Sequence, residues 1–187
     1  YGFVQGASAA AKEKGITVEI KYSYKYGSTF SASTELQTQI AGWYANGTEV
    51  VFACGGSMFQ SVLSAASEYE NAKIIGVDVD QSAESSKVIT SAMKGLSASV
   101  ERILGQFYEG KWDSELADKA QNLGAAEGAT GLPEDTWSMK NFTVEQYKAL
   151  FKKVADGEIV PDSKTPDDAN NADWLKGIPN VTIDFEA

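Results

Sequence analysis

The chain has 187 residues, 43% apolar and 22% charged, which suits one globular domain with a real core. Its net charge of −10 offers no basic stripe to displace counterions from DNA or RNA, so nucleic acid is not an expected partner. Histidine is absent and there is a single cysteine, which removes the serine triad, the commonest general base, most zinc sites and any internal disulfide.

Residues 2–14 carry small and apolar side chains at helical spacing, with Gly15 placed to stop the helix. No leader or strand precedes them, the pattern expected of a fragment cut from a longer protein. Residues 16–22 alternate with period two and predict a strand. A Gly/Ser/Thr-rich loop follows, with Phe30 in it. Ser33 is placed to cap a helix bearing Leu36, Ile40, Trp43 and Tyr44 on one face, and Asn46-Gly47 closes it.

Residues 49–54 form an apolar run, expected of a strand buried on both faces. Gly55-Gly56 then turn the chain into a helix over 57–69, with Val62, Ala65 and Ala66 inward. Strands are expected at 73–78 and 87–91, and a helix at 95–109 carrying Val100, Leu104 and Phe107. A further strand is expected at 125–132, closed by Pro133, then a helix at 143–155 with Tyr147, Leu150 and Val154 on one face. The tail from Gly157, with Pro161, Pro166, Pro179 and a run of Asp and Asn, is expected to wrap a surface or to pack on something outside this chain. No run reaches the ~18 apolar residues of a membrane span. The alternation predicts an α/β fold, a parallel sheet with helices on both faces.

Ligands of open α/β sheets bind at the carboxyl ends of the strands. Three groups fall there. Gly55 and Gly56 let a ligand approach the backbone, and the next helix offers free N–H groups; a turn needing glycine for shape alone fits equally well. Asp78 ends an apolar strand, and its carboxylate can accept two hydrogen bonds, as a vicinal diol requires; turn capping is the plainer role, for which Asp80 is better placed. Lys94 can bind a ligand oxygen or pair with Asp78; a solvated lysine is the plainer role. Phe30 can stack on a flat ring or anchor its loop. Cys54 reads as a small buried hydrophobe.

The segments Tyr1-Gly2-Phe3-Val4-Gln5-Gly6, Phe52-Ala53-Cys54-Gly55-Gly56-Ser57, Ile75-Gly76-Val77-Asp78-Val79-Asp80-Gln81 and Thr90-Ser91-Ala92-Met93-Lys94 resemble the basic membrane protein family. These are bacterial lipoproteins that serve as substrate-binding components of ABC transporters, purine nucleoside receptors among them. The resemblance runs to about Phe151 and implies a periplasmic-binding-protein-like (type I) fold of two lobes with ligand between them. It makes residues 1–187 the C-terminal lobe, 1–132 its core and 133–187 a helix and extended tail.

By the same resemblance the ligand residues are Phe30 stacking on a base, Gly55 and Gly56 lending backbone, Asp78 on the ribose hydroxyls and Lys94 on a ribose oxygen. Ala32 stands where many members have an aspartate. The implied partners are a nucleoside and an ABC permease, at the cell surface, with a lipid anchor outside this chain. No catalytic residue, metal or cofactor is implied.

Two other readings compete. Asp78-Val79-Asp80-Gln81-Ser82 also fits the motif of haloacid-dehalogenase-like phosphatases, with Thr90, Lys94 and Glu134-Asp135 completing the set. The short step from Asp80 to Thr90 argues against it, because parallel neighbours ordinarily need a crossover of about a dozen residues or more; a hairpin-like or bent return is expected instead. The ligand-sensing module of a regulator is the third reading.

Overall fold

The computed structural model describes residues 1–163 and 173–186. The chain divides into two compact units, residues 1–30 with 160–187, and residues 31–159.

In the first unit, α1 (Gly2–Lys14) buries Val4, Ser8 and Ala11, one face at helical spacing. Gly15 ends it in the left-handed region at φ 65°, as expected. Strand β1 (Val18–Ser23) follows. It pairs in parallel with β6 (Val181–Glu186), Val18 opposite Val181 and Ile20 opposite Ile183. This corrects the expected tail: from residue 173 it makes a short 3-10 turn and then a sheet strand. Pro166 and the Asp/Asn run lie outside the described residues. Val4, Ile20 and Leu175 form the unit's buried centre, with Tyr22, Trp174, Ile183 and Phe185 packed on it. The alternating apolar residues of β6 are what let it join, since Val181, Ile183 and Phe185 share one face.

In the second unit, four strands run in the order β2-β3-β4-β5. They are β2 (Val50–Phe52), β3 (Lys73–Asp78), β4 (Val88–Lys94) and β5 (Thr130–Gly131). The first three are parallel and β5 is antiparallel. The α/β class is as expected, with parallel strands flanked by helices, but the strands fall into two sheets rather than one.

Helix α2 (Thr34–Ala45) is capped by Ser33, whose Oγ accepts from the Leu36 N–H at 3.1 Å. It buries Leu36, Ile40 and Tyr44, while Trp43 is half-buried. Helix α3 (Met58–Ser67) buries Phe59, Val62, Ala65 and Ala66 and packs on α2 and β3. Strand β2 is shorter than expected and is an edge strand, with Val51 buried and Val50 exposed. Its apolar run therefore does not mark burial on both faces.

Strand β4 runs on to Lys94, beyond the expected end. Pairing shifts from Ile74–Val88 to Ile75–Thr90, so Ile89 is an extra residue in the ladder. The freed Ile89 carbonyl accepts from the Ser138 hydroxyl at 3.0 Å. The expected strand at 125–132 shrinks to Thr130–Gly131, because residues 124–129 form turns with Gly128 at φ 65°.

Helix α4 (Leu96–Tyr108) contributes no buried residue, and Leu96, Val100, Leu104 and Phe107 are exposed. A π-helical turn at Trp112–Leu116 was not legible in the sequence. Helix α5 (Val144–Ala155) starts from a capping box between Thr143 and Gln146. It buries Tyr147, whose hydroxyl accepts from the Leu132 N–H at 2.8 Å, while Leu150 is exposed.

Candidate functional site

Strands β2, β3 and β4 end at one edge of their sheet, at Cys54-Gly55-Gly56, Asp78 and Lys94. The Asp78–Met93 register brings the ends of β3 and β4 level, while β2 itself stops at Phe52 opposite Ile75 and the chain runs on from there to Gly55-Gly56. Across that edge Lys94 Nζ stands 2.9 Å from Asp78 Oδ1, both side chains well exposed. An exposed ion pair stabilises a fold little, so its energetic value to folding does not account for it.

Asp78 has φ 67°, a left-handed conformation that non-glycine residues seldom adopt. The Val79 N–H donates to the Val77 carbonyl at 2.8 Å across it, closing a strained γ-turn. The chain is held there by its neighbours. The Val77 N–H donates to Gln81 Oε1 at 2.8 Å, and the Gln81 N–H donates to Ser91 Oγ at 3.0 Å. Ser91 is fully buried. Gly76 is required beneath this arrangement, since a Cβ there would lie 2.6 Å from both Gln81 Oε1 and Ser91 Oγ. Gln81 and Ser91 were not singled out from the sequence. A glycine inside an apolar strand was the available signal, because it marks close approach by another group.

Gly55 is buried and Gly56 has φ 43°, immediately before α3. Glycine is thus a backbone requirement at 56, while the Gly55 N–H donates to the Ala53 carbonyl at 2.9 Å and the Gly55 carbonyl accepts from the Met58 N–H at 3.1 Å. Cys54 is exposed, which corrects its reading as a buried hydrophobe. Burial of its sulfur among neighbouring atoms nevertheless pushes the thiol pKa up; the Asp78 charge acts in the same direction and Lys94 against it.

Asp80 is a turn residue, as expected. Its Oδ1 accepts from the Ser82 N–H at 3.0 Å and its Oδ2 from the Thr136 hydroxyl at 2.7 Å. Desolvation raises its pKa, but the hydrogen bonds from Thr136 and Ser82 outweigh that and hold it below the usual carboxylate range. Glu134 pairs with Lys148 at 2.8 Å, and Thr90 is buried, its hydroxyl without a hydrogen-bond partner among the described residues. Only residues 79–87 separate β3 from β4, and the two strands are parallel. The short step therefore does not force a hairpin-like return, and the spacing objection to a phosphatase motif falls. Turns between residues 79 and 87 make the crossover without a helix.

Phe30 belongs to the first unit. It is 62% exposed at φ 54°, a costly backbone conformation for a bulky residue. Its N–H donates to the Gly27 carbonyl at 3.1 Å. Two apolar recesses elsewhere, one along α4 at Val100 and Leu104 and one between β4, β5 and α5 at Tyr147 and Phe151, are lined by none of the residues at the strand ends.

Residues 1–164 match the Bmp family, described as ABC transporter substrate-binding protein PnrA-like. The ABC transporter nucleoside-binding protein BmpA of Lactococcus lactis subsp. cremoris (strain MG1363) is 28% identical over 180 residues, which cover 87% of this chain and 48% of that protein. The chain thus spans about half the length of this curated relative. A solved ABC transporter solute-binding protein from Aeropyrum pernix K1 superposes with a TM-score of 0.48 at 16% identity, over 86% of this chain and 62% of that one. The family match covers most of the chain, the whole strand-end edge included, and it makes the chain a member of the Bmp family of PnrA-like ABC transporter substrate-binding proteins.

Proposed function

We propose that the chain is the C-terminal lobe of a two-lobe binding protein that delivers a purine nucleoside to an ABC importer on the outer side of the cell membrane. One observation carries the reading: a carboxylate and an ammonium 2.9 Å apart at the carboxyl ends of adjacent parallel strands, beside a glycine turn. Ribose offers adjacent hydroxyls that can donate to Asp78 while its oxygens accept from Lys94. Gly55 and Gly56 offer the nearby backbone. Phe30 is assigned to stack on the base. The similarity to a protein named as nucleoside-binding supports this ligand class. The protein is proposed to do no chemistry, to engage a permease when loaded, and to be tethered by a lipid anchor outside this chain.

Titration calorimetry of the full-length receptor with guanosine, adenosine, inosine and ribose tests the ligand class. Saturable heat with a nucleoside and none with ribose is expected. Binding of ribose alone would assign the protein to sugar uptake instead.

A further inference from the structure

We propose that Gln81 and Ser91 are positioning residues that hold Asp78 in its left-handed turn and thereby aim its carboxylate across the strand ends. The inference deepens the proposed ligand site and rests on that reading only for its effect on binding.

An aspartate that ends a strand would by default continue in extended backbone, with its side chain alternating to the face opposite Val77. Asp78 instead sits at φ 67° with a Val79-to-Val77 hydrogen bond across it. Such a conformation is costly for a non-glycine residue and persists only where the surroundings over-determine it. Two hydrogen bonds do so. Gln81 folds back along the chain, and its Oε1 takes the Val77 N–H at 2.8 Å, a donor that the ladder at the strand end leaves available. The turn between them is pinned in turn by Ser91, whose buried Oγ takes the Gln81 N–H at 3.0 Å.

Ser91 lies opposite Gly76 in the β3–β4 register, so the clasp is anchored on the neighbouring strand that also carries Lys94. The two ends of the ion pair are thus referenced to one another through Gln81 and Ser91 rather than through their own exposed side chains. Gly76 leaves the space that the clasp fills, with both polar atoms 2.6 Å from where its Cβ would be. A buried serine, a returning glutamine and a glycine all serve one strained residue, which is the pattern of a supporting shell around a functional group.

The test compares Gln81→Met, which keeps the volume but removes the acceptor, with Gln81→Glu, which keeps an acceptor, in the full-length receptor. Crystal structures are expected to show Asp78 relaxed out of the left-handed region and the Lys94–Asp78 ion pair broken in Gln81→Met. Both features should persist in Gln81→Glu. Guanosine affinity of the receptor is expected to fall about tenfold or more in Gln81→Met, as displacement of a binding group by an ångström can produce, and to recover in Gln81→Glu. Should Gln81→Met fail to fold, Ser91→Ala provides the same comparison, with Ser91→Thr as its conservative partner. An unchanged Asp78 turn in Gln81→Met or Ser91→Ala overturns the inference whatever the binding result. A relaxed turn in a receptor whose Asp78→Ala variant still binds normally would sink the ligand role of Asp78 and leave the positioning role intact.

Discussion

Lys94 Nζ and Asp78 Oδ1 lie 2.9 Å apart, although sixteen positions separate them in the chain. The parallel β3–β4 register, with Asp78 opposite Met93, sets them together. Both side chains are exposed enough that water screens much of their attraction.

Lys94→Ala is therefore expected to change folding stability by less than about 1 kcal/mol. The same change should weaken nucleoside binding clearly in the intact receptor. Urea denaturation beside calorimetry separates the two effects. A large stability loss with unchanged binding would make the pair a structural bridge.

Cys54 reports on the same charges. Its thiol pKa is raised by burial, with Asp78 raising it further and Lys94 lowering it. Alkylation by iodoacetamide, followed against pH, should accelerate only above the ordinary thiol range of about 8.5. Asp78→Asn should move that profile to lower pH and Lys94→Ala to higher pH. Shifts in the same direction would contradict the placement of the sulfur between the two fields.

Asp80 links the turn after β3 to pH. Its folded pKa is depressed because the Thr136 and Ser82 hydrogen bonds outweigh desolvation. The unfolded chain then binds its proton more readily, so the contribution is present above the unfolded value of about 3.9 and is lost as pH falls through the folded value. The stability gap between the protein and Asp80→Asn should be open at pH 7, narrow below about pH 4 and close on further acidification. A gap that widens on acidification would reverse the assigned sign.

Ile74 is fully buried in the central strand β3. Ile74→Ala should cost about 2–5 kcal/mol, as cavity-forming changes in cores do. A midpoint shift in urea equivalent to less than about 1 kcal/mol would mean that the sheet repacks around the cavity.

Local chemistry made several features legible in the sequence. Gly15, Ser33 and Thr143 mark helix ends because their conformational freedom or side-chain oxygens satisfy backbone groups that every helix leaves open. The positions of Asp78 and the Gly55-Gly56 turn near strand ends follow from the apolar runs before them, whereas β4 runs on past its expected end to Lys94. The missed parts depend on distant partners. β6 carries a period-two alternation at Val181, Ile183 and Phe185 that is a strand signal in itself, but its partner β1 and the Val4–Leu175 core lie far away in the chain. The segment at 125–132 is apolar enough for a strand, yet Gly128 turns most of it away from the sheet. The parallel crossover at 79–87 is shorter than the usual minimum and is made by turns without a helix. Gln81 stood in the sequence only as part of a motif, because its bond from the Val77 N–H depends on how the turn folds back.

The central claim is that Asp78 at the strand ends holds the ligand. Its most direct test is calorimetric titration of the full-length receptor and its Asp78→Ala variant with guanosine, with thermal unfolding recorded alongside. The account predicts that binding weakens by about a hundredfold or more for a charged hydrogen-bonding group removed from its ligand, at a nearly unchanged melting temperature. Undiminished guanosine binding by a well-folded Asp78→Ala receptor would contradict it.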